Sequence, residues 1–215
     1  MKITIVYDNE VLKGGLTAGW GFSCLIDDDV LFDTGDDGMG LLHNMRELSI
    51  DPGNIKSVVL SHGHGDHIGG LPELLEENQK LTVYALPSFS KWLESQIPAK
   101  TKLVEVRKPM QIRESVFTTG PLGTRFEEQS LVCLDKKGAF VITGCSHPGL
   151  GSILSAASKF GEVYGVIGGF HGFSDFDILK EVKLISPCHC TSHKEELARM
   201  FPKQHLRCGA GLVVK

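Results

Sequence analysis

The run Ser61-His62-Gly63-His64-Gly65-Asp66-His67-Ile68-Gly69-Gly70 decides how this chain is read. It places three histidines and one carboxylate in six consecutive positions, with glycine at the two positions between them. A strand-like segment, Ile55-Lys56-Ser57-Val58-Val59-Leu60, delivers the run, and Leu71-Pro72-Glu73-Leu74-Leu75 reads as a helix after it. His62 and His64 stand at i and i+2, so extended backbone points them the same way. Asp66 and His67 follow where the chain turns, so they approach a second point nearby. The arrangement suits two metal ions a few ångströms apart, bridged by water. Zinc, iron(II) and manganese accept such mixed imidazole and carboxylate donors. A glycine-rich polar loop with idle histidines is the bland alternative, but random loops seldom repeat one ligand type at alternate positions.

Working outward, the short apolar runs 2–7, 21–26, 29–33, 56–60, 81–85, 102–106, 130–134, 138–143, 162–167 and 183–186 read as strands. Between them, Gly40-Leu41-Leu42-His43-Asn44-Met45-Arg46-Glu47-Leu48 sets Leu41, Leu42, Met45 and Leu48 on one helical face. The segments 152–157 and 195–201 have the same character. The first half is strand-rich before the cluster and mixed after it, and the second half repeats that order. The pattern predicts an α/β fold of the αββα sandwich kind, with two mixed sheets packed face to face and flanked by helices. No linker, low-complexity tract or charge block marks a boundary, so a single domain over residues 1–215 is expected.

Composition narrows the function classes. A net charge of -4 gives no reason to expect nucleic acid as an obligatory partner. No apolar stretch approaches the roughly 20 residues that span a bilayer, so no membrane role is expected. Met1-Lys2-Ile3-Thr4-Ile5-Val6-Tyr7-Asp8 reads as a short strand instead of a signal peptide, because Asp8 and Glu10 interrupt the apolar run. The six cysteines, at 24, 133, 145, 188, 190 and 208, are read as reduced thiols of a cytoplasmic protein. The loop from Leu12 to Phe22 is glycine-rich, with Trp20 and Phe22 offering a surface for a flat ring, although its glycines fit neither GxGxxG nor a P-loop.

Flanking segments carry a resemblance. Val30-Leu31-Phe32-Asp33-Thr34-Gly35 precedes the cluster and Thr143-Gly144-Cys145-Ser146-His147 follows it. In order and spacing, "FDTG", "LSHGHGDHIGG" and "TGCSH" resemble the metallo-β-lactamase superfamily. "GFSCLI", Gly120-Pro121-Leu122, Glu128-Gln129-Ser130-Leu131, "TGCSHPGLG", "IGGFH" and "PCHCTS" are similar to its dihydropterin-aminobenzene-phosphate synthase-like branch, from about Thr4 to the C-terminus. The chain departs from the broader superfamily at two places. Gly120-Pro121-Leu122-Gly123 stands where many members carry a histidine, and Cys145 stands where many carry a bridging aspartate.

A dinuclear site needs ligands beyond one motif, and loops at one end of a sandwich bring remote residues together. His62, His64 and His147 are assigned to one ion, and Asp66, His67 and His189 to the other, with His193 competing with His189. Cys145 is left open as a ligand, since a cysteine at a strand end is more often a small buried residue. Asp33 is expected to hydrogen-bond a ligand histidine or the turn that holds the cluster. His171 is expected to line the pocket, while His43 and His205 are read as structural.

Two adjacent ions lower the pKa of bound water to about 7 and hold phosphate or acyl oxygens. The leading expectation is a dinuclear-metal hydrolase of a small phosphate-bearing substrate, through a hydroxide bridging two divalent ions, zinc first and iron or manganese next. Asp66 and His171 are its catalytic candidates, His171 protonating the leaving group. The branch resemblance implies a different outcome on the same site: transfer of a dihydropterin-methyl unit to an aminobenzene ribose-phosphate with diphosphate release. A di-iron redox protein and a non-catalytic metal module are the remaining classes, and assembly into a homo-oligomer is left open.

Overall fold

The computed structural model describes residues 1–215. The chain forms two compact units, Met1–Arg107 with Cys208–Lys215, and Lys108–Arg207. Each is built on one mixed sheet with helices packed on it.

The first unit contains β1 (Ile3–Tyr7), β2 (Ser23–Ile26), β3 (Val30–Phe32), α1 (Gly38–Glu47), β4 (Ser57–Val59), α2 (Gly65–Ile68), α3 (Leu71–Glu77), β5 (Thr82–Ala85), α4 (Pro87–Glu94) and β6 (Lys102–Glu105). Its seven-stranded sheet begins with the short C-terminal strand Val213–Val214 and runs through β1 to β6 in sequence order. Pairing is antiparallel as far as β3 and parallel from β3 onward. Helix α1 starts at Asp37, whose side chain accepts from the Met39 amide at 3.0 Å and so satisfies an otherwise orphan helix donor. Its Leu41 and Met45 are fully buried with Leu71, Leu74 and Leu75 of α3, as their spacing requires.

The second unit contains β7 (Met110–Arg113), β8 (Val116–Thr118), β9 (Leu131–Asp135), β10 (Gly138–Thr143), α5 (Leu150–Ala157), β11 (Val163–Gly169), β12 (Leu184–Cys188) and α6 (Lys194–Met200). Its six-stranded sheet has the order β12-β11-β10-β9-β8-β7. Strands β10, β11 and β12 are parallel, which explains their nearly unbroken apolar runs: both faces are covered. Helix α5 packs on β10 and α6 on β12, burying Ile153, Leu154 and Leu197.

The expected class, two mixed sheets flanked by helices, is the one observed. Other features were not expected. The β7–β8 hairpin, helix α4 and the C-terminal strand Val213–Val214 lie outside the predicted elements. Cys188 and Cys208 are buried and disulfide-bonded, which corrects the reading of six reduced thiols; Cys24, Cys133, Cys145 and Cys190 are thiols. No helix is long and apolar enough to cross a membrane.

Candidate functional site

Parallel strands place the chemistry. In the first unit β3 and β4 run side by side, Phe32 opposite Val59, so Asp33 and the run from Ser61 leave the sheet at the same end. In the second unit the register Thr143 with Gly168, and Gly169 with Cys188, brings the loops after β10, β11 and β12 out together. Those loops carry His147, His171 and His189. Seven non-glycine residues have positive φ, and four of them, Asp33, Ser146, His171 and His189, lie just beyond these strand ends. Such strained positions persist only where surrounding contacts fix them, and they concentrate at functional sites.

In the first unit the cluster is organised by Asp33, which is fully buried. Its Oδ1 accepts from the Ser61 amide at 2.6 Å, and its Oδ2 accepts from Ser61 Oγ at 2.7 Å. The same Oδ2 lies 2.7 Å from His67 Nδ1. A carboxylate only accepts, so His67 carries a proton on Nδ1, which leaves Nε2 on the opposite side of the ring. Ser61 Oγ spends its single proton on Asp33, so at 2.8 Å it accepts from His62 Nδ1, and His62 Nε2 is likewise left on the opposite side of its ring. That Nε2 is 3.1 Å from His64 Nδ1. Two nitrogens bonded to one ion at about 2.0–2.1 Å stand roughly 3–3.4 Å apart, so the spacing suits a shared ion. His67 Nε2 is 3.8 Å from Asp66 Oδ2, a second ligand-like pair. The sequence-level role given to Asp33 is therefore seen directly. His64 is exposed, while His62 and His67 are buried.

The turn is braced by close backbone contact. Gly21 has φ +144, and a Cβ there would lie 2.4 Å from the Asp66 carbonyl oxygen. Of the two rings proposed for a stacking surface, Phe22 is fully buried in the core and Trp20 is 58% exposed, so only Trp20 offers a face.

In the second unit the organiser is Glu128, 1% exposed. Its Oε1 accepts from the amides of Gly144, Cys145 and Ser146 at 3.1, 3.0 and 3.0 Å, and from Thr143 Oγ1 at 3.1 Å. Its Oε2 accepts from the His147 amide and lies 2.9 Å from His147 Nδ1. The entire 143–147 turn is wrapped around one carboxylate, and His147, like His67, presents Nε2. The His171 ring lies 5.2 Å from the His147 ring and is exposed, and Phe126 stacks on His147 at 4.6 Å. His189 is 3% exposed, and a ring nitrogen of it lies within 4.8 Å of Cys145 Sγ. His193 instead meets Glu196 Oε2 at 3.2 Å on α6 and is half-exposed, so of the two competing histidines His189 is the one among potential ligands. Cys190 Sγ is 3.3 Å from Cys145 Sγ. The Cys145 contact, followed by the charge of His189, draws the Cys190 thiol down to about 7.

Sequence reasoning missed Glu128 and Ser61. Glu128 lay within a quoted segment but nineteen positions before His147, with no local signal of its role. Of the structural histidines, His43 bonds the Gly15 carbonyl at 2.8 Å, tying the glycine-rich loop to α1.

Both halves thus show one design: a buried carboxylate fixes the Nδ1 side of a histidine, the contact that orients metal-ligating histidines. The pattern of the metallo-beta-lactamase superfamily matches residues 23–154, and the chain belongs to that superfamily. It is 29% identical over 246 residues to the 7,8-dihydropterin-6-methyl-4-(beta-D-ribofuranosyl)-aminobenzene-5'-phosphate synthase of Methanocaldococcus jannaschii, covering 86% of this chain and 84% of that protein. Ribonuclease Z of an Exiguobacterium species is 38% identical over 66 residues, 28% of this chain and 22% of that enzyme. Among solved structures, a metal-dependent hydrolase of the β-lactamase superfamily superposes with a TM-score of 0.80 at 29% identity, covering 100% of this chain and 98% of that one.

Proposed function

We propose that this protein is a hydrolase of a small phosphate-bearing molecule that depends on two divalent metal ions. His62, His64 and His147 would hold one ion, and Asp66, His67 and His189 the other. The observation that carries the reading is the pair of buried carboxylate–imidazole contacts, Asp33 to His67 at 2.7 Å and Glu128 to His147 at 2.9 Å. A histidine serving only to fill space needs no such tautomer control. The donor set of imidazoles with one carboxylate fits zinc, iron(II) or manganese. When bound, such ions bring a water's pKa to about 7 and neutralise phosphate oxygens.

The chain's own residues do the rest. Asp33 and Glu128 hold the Nδ1 sides of His67 and His147 and so aim the two rings. Asp66 adds a negative charge that favours cation binding. His171, exposed and beside His147, delivers a proton from its ring to the departing oxygen. The test is hydrolysis of bis(4-nitrophenyl) phosphate before and after chelation, with metal then restored. Activity that disappears and returns supports the proposal; hydrolysis unaffected by complete chelation rejects it. Replacement His171→Asn should lower kcat about 10²–10⁴-fold for an alkyl leaving group and little for 4-nitrophenolate, which leaves without a proton.

Similarity to the pterin-related synthase favours a second reading on the same ligands, transfer of a dihydropterin-methyl group with release of diphosphate. Diphosphate release that requires the aminobenzene ribose-phosphate would select it over hydrolysis.

A further inference from the structure

Leu122 and Glu128 exchange two backbone hydrogen bonds, each 3.0 Å, and so close the loop 123–127. Gly123 lets the loop turn: its φ is +93, and a Cβ there would lie 2.4 Å from the Phe126 carbonyl oxygen. The loop ends on Glu128, whose carboxylate also grips the 143–147 turn. Phe126 is thereby held beside His147, with ring centroids 4.6 Å apart and planes inclined at 51°. The His171 ring lies 5.2 Å from that of His147. All three rings belong to the second unit. Phe126 nevertheless keeps 36% of its surface open. Isolated exposed apolar side chains are ordinary. This one is a ring on a tightly closed loop, set against a candidate ligand and one imidazole away from the candidate proton donor.

We propose that Phe126 is a specificity-determining residue, the apolar face that receives an aromatic ring carried on the substrate's phosphate. The inference rests on the hydrolase reading above and names its substrate class. His171 serves the departing oxygen, and both His171 and Phe126 lie one ring contact from His147, so a ring attached to that oxygen reaches Phe126. An aliphatic group gains burial there, but only an aromatic one adds the offset or edge-to-face contact of two rings, which strengthens binding about 3–10-fold. Phe126 carries neither charge nor a transferable proton. Its effect therefore falls on holding the ring and not on the chemistry at phosphorus.

The test is isothermal titration of the metal-reconstituted full chain with phenylphosphonate and methylphosphonate, whose P–C bond does not hydrolyse, followed by kinetics on bis(4-nitrophenyl) phosphate. Phe126→Ala should weaken phenylphosphonate about 3–10-fold and leave methylphosphonate unchanged, while Phe126→Tyr keeps the preference of the parent. KM for the diester should rise by a similar factor in Phe126→Ala with kcat little altered. Phe126→Leu keeps apolar packing on His147 without a ring, so it should also lose the phenyl preference, and it decides the matter if the alanine variant is unstable. Equal weakening of both phosphonates overturns the inference and leaves Phe126 a mere support for His147. No change in either, or no phenyl preference in the parent, also overturns it while leaving hydrolysis to be judged by turnover. A phenyl preference that depends on Phe126 in a protein that hydrolyses nothing upholds the ring contact and rejects the hydrolase reading.

Discussion

Replacing Glu128 by glutamine changes one oxygen to an amide group and nothing in size, yet the structure predicts a large effect. The buried carboxylate receives three backbone amides and a hydroxyl on Oε1, and an amide with a ring nitrogen on Oε2. If the new amide oxygen keeps the Oε1 place, its NH2 faces the His147 N–H, donor against donor. The same NH2 drives His147 to accept at Nδ1 and carry its proton on Nε2, the atom meant for metal. The flipped amide is worse, since NH2 then confronts three backbone donors. One opposed buried donor costs about 1–3 kcal/mol, and exchanging a charged acceptor for a neutral one adds about 1 kcal/mol per remaining bond. With four such bonds left on Oε1, Glu128→Gln should therefore lose about 5–7 kcal/mol of stability in urea unfolding. Metal affinity, read by competition with a chromogenic chelator, should fall about 10–100-fold, the usual consequence of removing a group that orients a ligand. A variant with unchanged stability and affinity would refute the claim that Glu128 sets the tautomer and place of His147.

Three further outcomes follow from the same geometry. Asp33→Asn removes an acceptor shared by His67 and Ser61 and should weaken metal binding about 10–100-fold by the same competition assay, whereas Asp51→Asn, a capping residue far along the chain, should not. Gly21→Ala forces a Cβ to 2.4 Å from the Asp66 carbonyl at a φ of +144, so urea unfolding should show a loss of about 2–4 kcal/mol. In metal-free protein, Cys190 is drawn down to about 7 by Cys145 first and by His189 next, so its alkylation by iodoacetamide should rise as pH passes 7. A rise only between about 8 and 9, the range of an ordinary thiol, would contradict that environment.

The sheets were legible because their inner strands are buried on both faces and write themselves as apolar runs, β10 and β11 most plainly. The β7–β8 hairpin was not, since Gln111, Arg113 and Glu114 interrupt its alternation and it lies at a sheet edge, where burial is partial. The ligand run could be read because its chemistry is local: His62, His64, Asp66 and His67 share one turn. Asp33 was legible as the last polar residue of an apolar strand. Glu128 was hidden, because its role exists only once β9 and β10 pair and bring it under the 143–147 turn. The choice between His189 and His193 likewise depended on backbone conformation, a left-handed residue at 189 against a helix-start residue at 193 that turns to Glu196. Phe22, grouped with Trp20 by adjacency, went to the core because it directly precedes β2, which starts at Ser23.

The most direct test of the central claim is the metal content of the purified full chain by elemental mass spectrometry, without added metal and again after reconstitution. Two divalent ions per chain are expected, falling below two in Asp66→Ala and His147→Ala variants that remain folded. One ion or none after reconstitution, or two ions retained in both variants, would contradict it.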